Sequence, residues 1–180
     1  TPVVETFDAY PHLLHVGLKH RFPFAVINVI VTAVGGENSE EGARRFEAEV
    51  LNHRPDVLTL DYGLNDRGIG LERAEKAWRF MIQRALELKV HLILLTPTPD
   101  KTQRPGVTEA EAQPLREHAE QIRRLAAEYG VGLVDSLILF MEAWQREHWT
   151  DRLSWSNHPN RAGHELVARA LLRWFPAAPV

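Results

Sequence analysis

The pattern that most limits the fold is an alternation of short apolar segments with longer amphipathic ones. The apolar segments predict buried strands at residues 24–34, 55–62, 90–95 and 131–135. The amphipathic segments have apolar residues at helical spacing and predict helices at residues 39–52, 71–88, 108–129, 137–149 and 160–174. Strands that alternate with helices are typical of a parallel sheet with helices on both faces. We therefore predict a single α/β domain over residues 1–180.

The composition excludes several classes of function. Of the 180 residues, 44% are hydrophobic and 25% are charged, which is ordinary for a globular protein. The net charge of -3 gives no reason to expect a nucleic-acid partner. No apolar run approaches the ~18 residues that a membrane span needs. The absence of cysteine excludes disulfides, thiol catalysis and thiolate metal sites.

In a parallel sheet the active site lies at the carboxyl ends of the strands, so the residues after each strand are the candidates. Gly35 and Gly36 follow the first predicted strand and lead into a helix. One interpretation is a tight turn with Asn38 or Ser39 as the helix N-cap. The functional interpretation is that the Gly36 N–H approaches a reacting oxyanion, with no side chain in the way.

The second predicted strand is followed by Gly63-Leu64-Asn65-Asp66. Asn and Asp are common in turns, where their side chains bond to the nearby backbone. The functional interpretation is that the Asn65 amide donates a second hydrogen bond to the same oxyanion, while Asp66 braces the turn.

A histidine stands directly before a proline near the C-terminus, in the segment Asn157-His158-Pro159-Asn160. It is either a surface residue before a helix that Asn160 caps, or a general base held at the edge of the sheet by Pro159 and the helix start.

Together these three motifs resemble the ordered blocks of the SGNH (GDSL-type) hydrolase family, from about Tyr10 to the C-terminus. Gly36 falls on the glycine of the second block, Asn65 on the asparagine of the third and His158 on the histidine of the fifth. The resemblance implies a flavodoxin-like three-layer α/β/α fold and hydrolysis of small acyl esters by a serine nucleophile. It also implies an oxyanion hole formed by Gly36, Asn65 and the serine N–H, with no metal or organic cofactor.

The first block of the family, a Gly-Asp-Ser that ends the first strand, is missing from these residues. Val3-Val4 is too short for a buried strand, and Thr6 after Glu5 lies too close to Tyr10. The serines of the chain fall in the wrong blocks; they include Ser39, Ser136, Ser154 and Ser156.

The family's acid is also replaced. It lies three residues before the histidine, and here Trp155 has that position. We predict that the Trp155 carbonyl accepts the Nδ1–H of His158, which fixes the tautomer but supplies less charge stabilisation than a carboxylate. The alternative is that Asp151 folds back to complete a triad.

The family's first strand lies at the centre of its sheet, between the second and third. Without it two strands would stand ~9.5 Å apart. Each buried backbone group left unpaired would cost about 1–3 kcal/mol. We therefore expect that the 180 residues omit an N-terminal stretch; the alternative is that the remaining strands close up differently.

We predict an esterase whose small-molecule ester substrate is attacked by an upstream serine, with acetyl groups on a carbohydrate as one such ester. The runner-up is a non-catalytic relative that binds an ester or a glycan. A flavodoxin-like nucleotide-binding or signalling domain fits the alternation, but the glycine patterns of such domains are absent. The loop Thr98 to Val107 either borders the substrate pocket or is a plain solvent loop. The oligomeric state is left open.

Overall fold

The computed structural model of the protein describes residues 5–154 and 157–176. The chain divides into two compact units. One comprises residues 32–137, and the other combines the residues up to 31 with those from 138 onward.

In the described residues the α-helices are α1 (Tyr10–Arg21), α2 (Ser39–Arg45), α3 (Gly63–Asp66), α4 (Leu71–Glu87), α5 (Glu109–Tyr129), α6 (Ser136–Trp144) and α7 (Arg161–Leu172). The strands are β1 (Val57–Leu60), β2 (His91–Leu95) and β3 (Gly132–Val134). Short 3-10 turns occur at Thr6–Asp8, Leu51–His53, Lys101–Gln103 and Trp149–Arg152, and a π turn at Phe46–Val50. No helix in these ranges has the length and apolar character needed to cross a membrane.

The unit of residues 32–137 contains a parallel sheet in the order β1-β2-β3. Leu58 pairs with Leu92, and Leu94 pairs with Leu133, so the carboxyl ends of the strands meet at one edge. Four of the five β2 residues are buried, as expected for a central strand. Because parallel crossovers are right-handed, α4 and α5 lie on the same face of this sheet.

The stripe predicted along α4 forms one wall of the core of this unit. All six of its residues are buried: Ala74, Ala77, Trp78, Met81, Ile82 and Ala85. They share a cluster with residues of the sheet and of α5, among them Leu94, Ile122 and Leu125. Full burial of a large apolar side chain contributes about 1.5–3 kcal/mol, so this helix is a main source of stability for the unit.

The prediction of a strand at residues 24–34 was wrong. The segment lies outside any helix or strand, and several of its apolar side chains are exposed, including Phe24 and Val26. A strand is stable when its N–H and C=O groups pair with a neighbour, and no strand in the described residues pairs with this segment. Apolar, β-branched character indicated burial but did not show whether a partner strand was present.

Two predicted helices end earlier than expected. The helix predicted over residues 39–52 is α-helical to Arg45 and continues as the π turn and a 3-10 turn, before Arg54 adopts a left-handed conformation. The helix predicted over residues 137–149 ends at Trp144.

In the other unit α1 and α7 run parallel. At their N-terminal ends Asp8 forms an ion pair with Arg161 at 2.6 Å. At their C-terminal ends Arg21 donates to the Phe175 carbonyl at 2.7 Å, which satisfies a carbonyl just beyond α7. Buried Leu14, Leu18 and other apolar residues of the two helices pack in this unit.

We predict that Gly42→Ala destabilises the protein, although alanine is the better helix former by about 1 kcal/mol. A Cβ at Gly42 would overlap the Tyr62 hydroxyl, so the tyrosine ring has to move. We expect a net loss of about 1–3 kcal/mol in the free energy of unfolding, measured by chemical denaturation.

Gly35→Ala is the matched control, because a Cβ there meets no atom within 4 Å. If Gly42→Ala were as stable as the wild type, the close contact between α2 and Tyr62 would be disproved.

Candidate active site

The loop before α2 holds Gly36 in a conformation that favours glycine. Its φ is +82°, and a Cβ added there meets no atom within 4 Å in the described residues. Space beside the Gly36 backbone is therefore open. Asn38 caps α2: its side chain accepts from the Glu41 N–H at 3.1 Å, and the Glu41 carboxylate accepts from the Asn38 N–H at 3.1 Å. The predicted cap is thus confirmed for Asn38, and it leaves the Gly36 backbone uncovered.

The segment Gly63-Leu64-Asn65-Asp66 forms the single turn of α3 at the carboxyl end of β1. The exposed Asn65 side chain donates from Nδ2 to the Glu37 carbonyl oxygen at 3.0 Å. A side-chain amide carries two N–H groups, and within the described residues only one of them is engaged. The structure therefore brings Asn65 to the Gly36 loop with one donor left for a ligand.

Asp66 joins three elements beneath this loop. One carboxylate oxygen accepts from the Ser39 N–H at the start of α2 at 2.7 Å, and the other accepts from the Trp78 indole N–H of α4 at 2.8 Å. Burial raises the pKa of Asp66, while these hydrogen bonds act in the opposite direction. Asp66 was predicted to brace its own turn, and its carboxylate instead joins that turn to the start of α2 and to α4.

The loop Thr98 to Val107 is anchored in the structure. Asp100 accepts from Arg67 at 2.7 Å, and Arg67 also donates to the Leu64 carbonyl. Burial opposes ionisation of Asp100, but hydrogen bonds from Thr102 and Arg67 leave its pKa below the usual value. The ion pair thus connects the segments that follow β1 and β2. Arg67 was not identified from the sequence. The signal that could have found it is its position as a basic residue directly after Asn65 and Asp66.

His158 lies in the other unit, in a short loop that a hydrogen bond to the His158 carbonyl closes. Its carbonyl accepts from the Ser154 N–H at 2.8 Å, and Leu153 and Pro159 form an antiparallel bridge. Asn160 caps α7 by accepting from the Gly163 N–H at 3.0 Å and also donates to the Asp151 carbonyl at 2.8 Å. The cap predicted for Asn160 is confirmed, and the second bond secures the loop.

The orienting partner of His158 stays a prediction, because Trp155 lies outside the described residues. The Asp151 carboxylate accepts from the His148 N–H at 2.9 Å and caps the turn Trp149–Arg152. Over residues 5–154 and 157–176, no carboxylate forms an ion pair with the exposed His158 ring. The expected meeting of His158 with Gly36 and Asn65 also stays a prediction, since these residues belong to different units.

We predict that Asn160→Asp loosens the His158 loop while the cap of α7 is kept. The aspartate still accepts from the Gly163 N–H but has no donor for the Asp151 carbonyl. Amide hydrogen exchange, followed by NMR, should be faster at Ser154 and unchanged at Gly163.

Asn160→Ala serves as the control because it removes both bonds, and exchange should be faster at both amides. Unchanged protection of Ser154 in the aspartate variant would show that the bond to Asp151 does not secure the loop.

Comparison with known proteins identifies the family of the chain. Residues 3–166 match the model of the GDSL-like Lipase/Acylhydrolase family. The chain therefore belongs to this family, as its motifs had suggested, and it is of the carboxylic ester hydrolase class.

An acetylxylan esterase of Geobacillus stearothermophilus is 25% identical over 173 residues, which cover 87% of this chain and 75% of that protein. A crystal structure of an acetylxylan esterase from the same organism has a TM-score of 0.81 at 22% identity and covers 92% of this chain and 80% of that one. LAE5, an alpha/beta hydrolase enzyme from the metagenome of Lake Arreo in Spain, has a TM-score of 0.81 at 27% identity, with the same coverage. The predicted fold class, a flavodoxin-like three-layer α/β/α fold with a parallel sheet, is confirmed by this likeness.

Proposed function

We propose that this protein hydrolyses small acyl esters, with acetyl groups on a carbohydrate as the substrate class. The observation that carries the proposal is the contact between the Asn65 amide and the Gly36 loop, which leaves one amide N–H and open space beside Gly36. A relative that is named an acetylxylan esterase supports the carbohydrate acetyl ester as the substrate.

In the proposed reaction a serine on a segment that precedes Thr1 in the complete protein attacks the ester carbonyl carbon. His158 takes the serine proton and later gives it to the departing alcohol. The Gly36 N–H and the free N–H of Asn65 donate to the tetrahedral oxyanion, where negative charge develops. Water then attacks the acyl-enzyme while His158 accepts its proton, and His158 returns that proton to the serine oxygen as the bond to the serine breaks and the carboxylic acid leaves. None of these steps requires a metal or an organic cofactor.

A second candidate function is non-catalytic binding of an ester or a glycan, which the lack of a Gly-Asp-Ser block in these residues favours. The complete coding sequence separates the two candidates. The product is incubated with an aryl acetate and with acetylated xylan, and intact mass is recorded after treatment with a phosphonate ester. Acetate release and one phosphonyl adduct on a serine support hydrolysis, whereas glycan binding without either supports the alternative.

We predict that Asn65→Ala lowers kcat of the complete protein by about 10²–10³, because it removes a donor that meets charge only in the transition state. The free energy of unfolding should change little, since the side chain is exposed.

Asn52→Ala is the matched control, because the Asn52 amide likewise donates one bond to a carbonyl, that of Ala48 at 3.1 Å. If Asn65→Ala lost stability and activity in proportion, Asn65 would serve only the turn.

We predict that Asp151→Asn retains most of kcat. The asparagine can still cap the turn Trp149–Arg152, and in our proposal the Trp155 carbonyl orients His158. A triad aspartate replaced in this way costs on the order of 10⁴ in kcat. A fall of that size, with the fold intact by circular dichroism, would identify Asp151 as the acid.

A further inference from the structure

The acidic side chain of Glu37, in the Gly36 loop, is buried although it takes no part in the proposed reaction. The Glu37 side chain is 7% exposed, and Glu37 directly follows Gly36. A carboxylate loses favourable hydration on burial, so it needs hydrogen-bonded partners at this position.

Arg45 supplies those partners through a bidentate pair. Its Nε donates to one Glu37 oxygen at 2.6 Å, and its Nη2 donates to the other at 2.6 Å. Two parallel bonds fix the direction of the carboxylate as well as its distance. Glu37 in turn raises the pKa of Arg45, which keeps the guanidinium charged.

Tyr62 adds a third contact from the end of β1. Its hydroxyl donates to Glu37 Oε2 at 3.4 Å, and it fits beneath α2 because Gly42 has no side chain. Burial and the negative charge of Glu37 raise the pKa of Tyr62 to about 12, so the phenol remains a donor at neutral pH.

The backbone of the same residue is also engaged. The Glu37 N–H donates to the Val34 carbonyl at 3.3 Å, and the Glu37 carbonyl accepts from Asn65 Nδ2 at 3.0 Å. One residue therefore joins the buried ion pair to the amide of Asn65 and adjoins the Gly36 peptide.

We propose that Glu37 is a positioning residue, whose pair with Arg45 holds the Gly36 loop and the Asn65 amide in the geometry that an oxyanion requires. This inference rests on the proposed function. Arg45 fixes the Glu37 side chain, the side chain limits rotation of its own peptide, and the peptide carbonyl fixes the Asn65 amide. A displacement of about 1 Å at reacting groups can cost about 10²-fold in rate, so this chain of contacts has a measurable effect.

The first test is structural and does not depend on activity. In the NMR spectrum of the complete protein, the Asn65 side-chain N–H that donates to the Glu37 carbonyl should be protected from exchange. Glu37→Gln should abolish this protection, because the neutral side chain no longer forms the charged fork with Arg45. Glu49→Gln should retain the protection, since Glu49 is the exposed partner of Arg45 at 3.1 Å. Unchanged protection of this N–H in Glu37→Gln would overturn the proposal.

The second test is kinetic. Glu37→Gln should lower kcat by about 10- to 100-fold with KM nearly unchanged, whereas Glu49→Gln should match the wild type. In the Asn65→Ala background the same substitution should have a clearly smaller effect, because one of the two groups that Glu37 holds is already absent. An equal fold-change in both backgrounds would show an independent structural role and overturn the proposal.

Arg45→Lys is the second variant if Glu37→Gln does not fold. It keeps the positive charge but loses the fork, so kcat should again fall while KM is retained. A complete protein without esterase activity would disprove the proposed function, and the NMR test would still decide the inference about Glu37.

Discussion

The hydrogen bonds of the Asp66 carboxylate are the contacts on which the arrangement of α2, α3 and α4 depends. The carboxylate accepts one hydrogen bond from the first residue of α2 and one from the indole of Trp78 in α4. Hydrogen bonds to a charged group contribute about 1.5–3 kcal/mol each, and loss of the acceptor would leave two donors without a partner. Because Asp66 directly follows Asn65, the same contact fixes the start of α2 relative to the residue that carries the proposed donor.

The ion pair between Glu37 and Arg45 is a second contact that holds the Gly36 loop. Asp66 fixes Ser39 at the end of the loop, and Glu37 with Arg45 fixes the middle. Gly36 directly precedes Glu37, with a positive φ and open space at its side. Donors held by buried contacts need little reorganisation when charge develops, which is the main advantage of a preformed oxyanion hole. The buried pair of Glu37 and Arg45 thus offsets the cost of desolvation with two short hydrogen bonds and holds the loop beside Gly36.

Local sequence patterns predicted the parts of the fold that local physics determines. The stripe of α4 and the caps at Asn38 and Asn160 follow from helical spacing and hydrogen bonding within a few residues. The segment 24–34 was predicted wrongly because strand formation depends on a neighbour that its own sequence does not specify. Gly36, Asn65 and His158 were identified as candidate site residues by the family motif, which gives the order of residues along the chain but not their contacts.

The ion pairs of the site could not be predicted from local sequence patterns, for a different reason. Arg45 has several acidic residues within a few positions, among them Glu41, Glu47 and Glu49, and spacing alone would favour Glu41 and Glu49, each four residues away. The structure shows that Arg45 contacts both Glu37 and Glu49 and that only the first is buried. The difference arises because Tyr62, from a distant part of the sequence, encloses the first pair. Burial depends on the tertiary structure, and it determines which of the two Arg45 ion pairs stabilises the loop more strongly.

The two parts of the proposed site differ in how they are held, and the difference bears on the missing acid. Gly36 and Asn65 are fixed by buried charged groups, whereas the His158 ring is exposed on a loop secured by backbone bonds and by Asn160. An exposed imidazolium is already stabilised by water, so a carboxylate adds less stabilisation there than in a closed site of low dielectric constant. What remains for a partner to do is to fix the tautomer and the direction of the ring, and a backbone carbonyl can do both. A tryptophan in place of the family's acid is therefore compatible with a functional base.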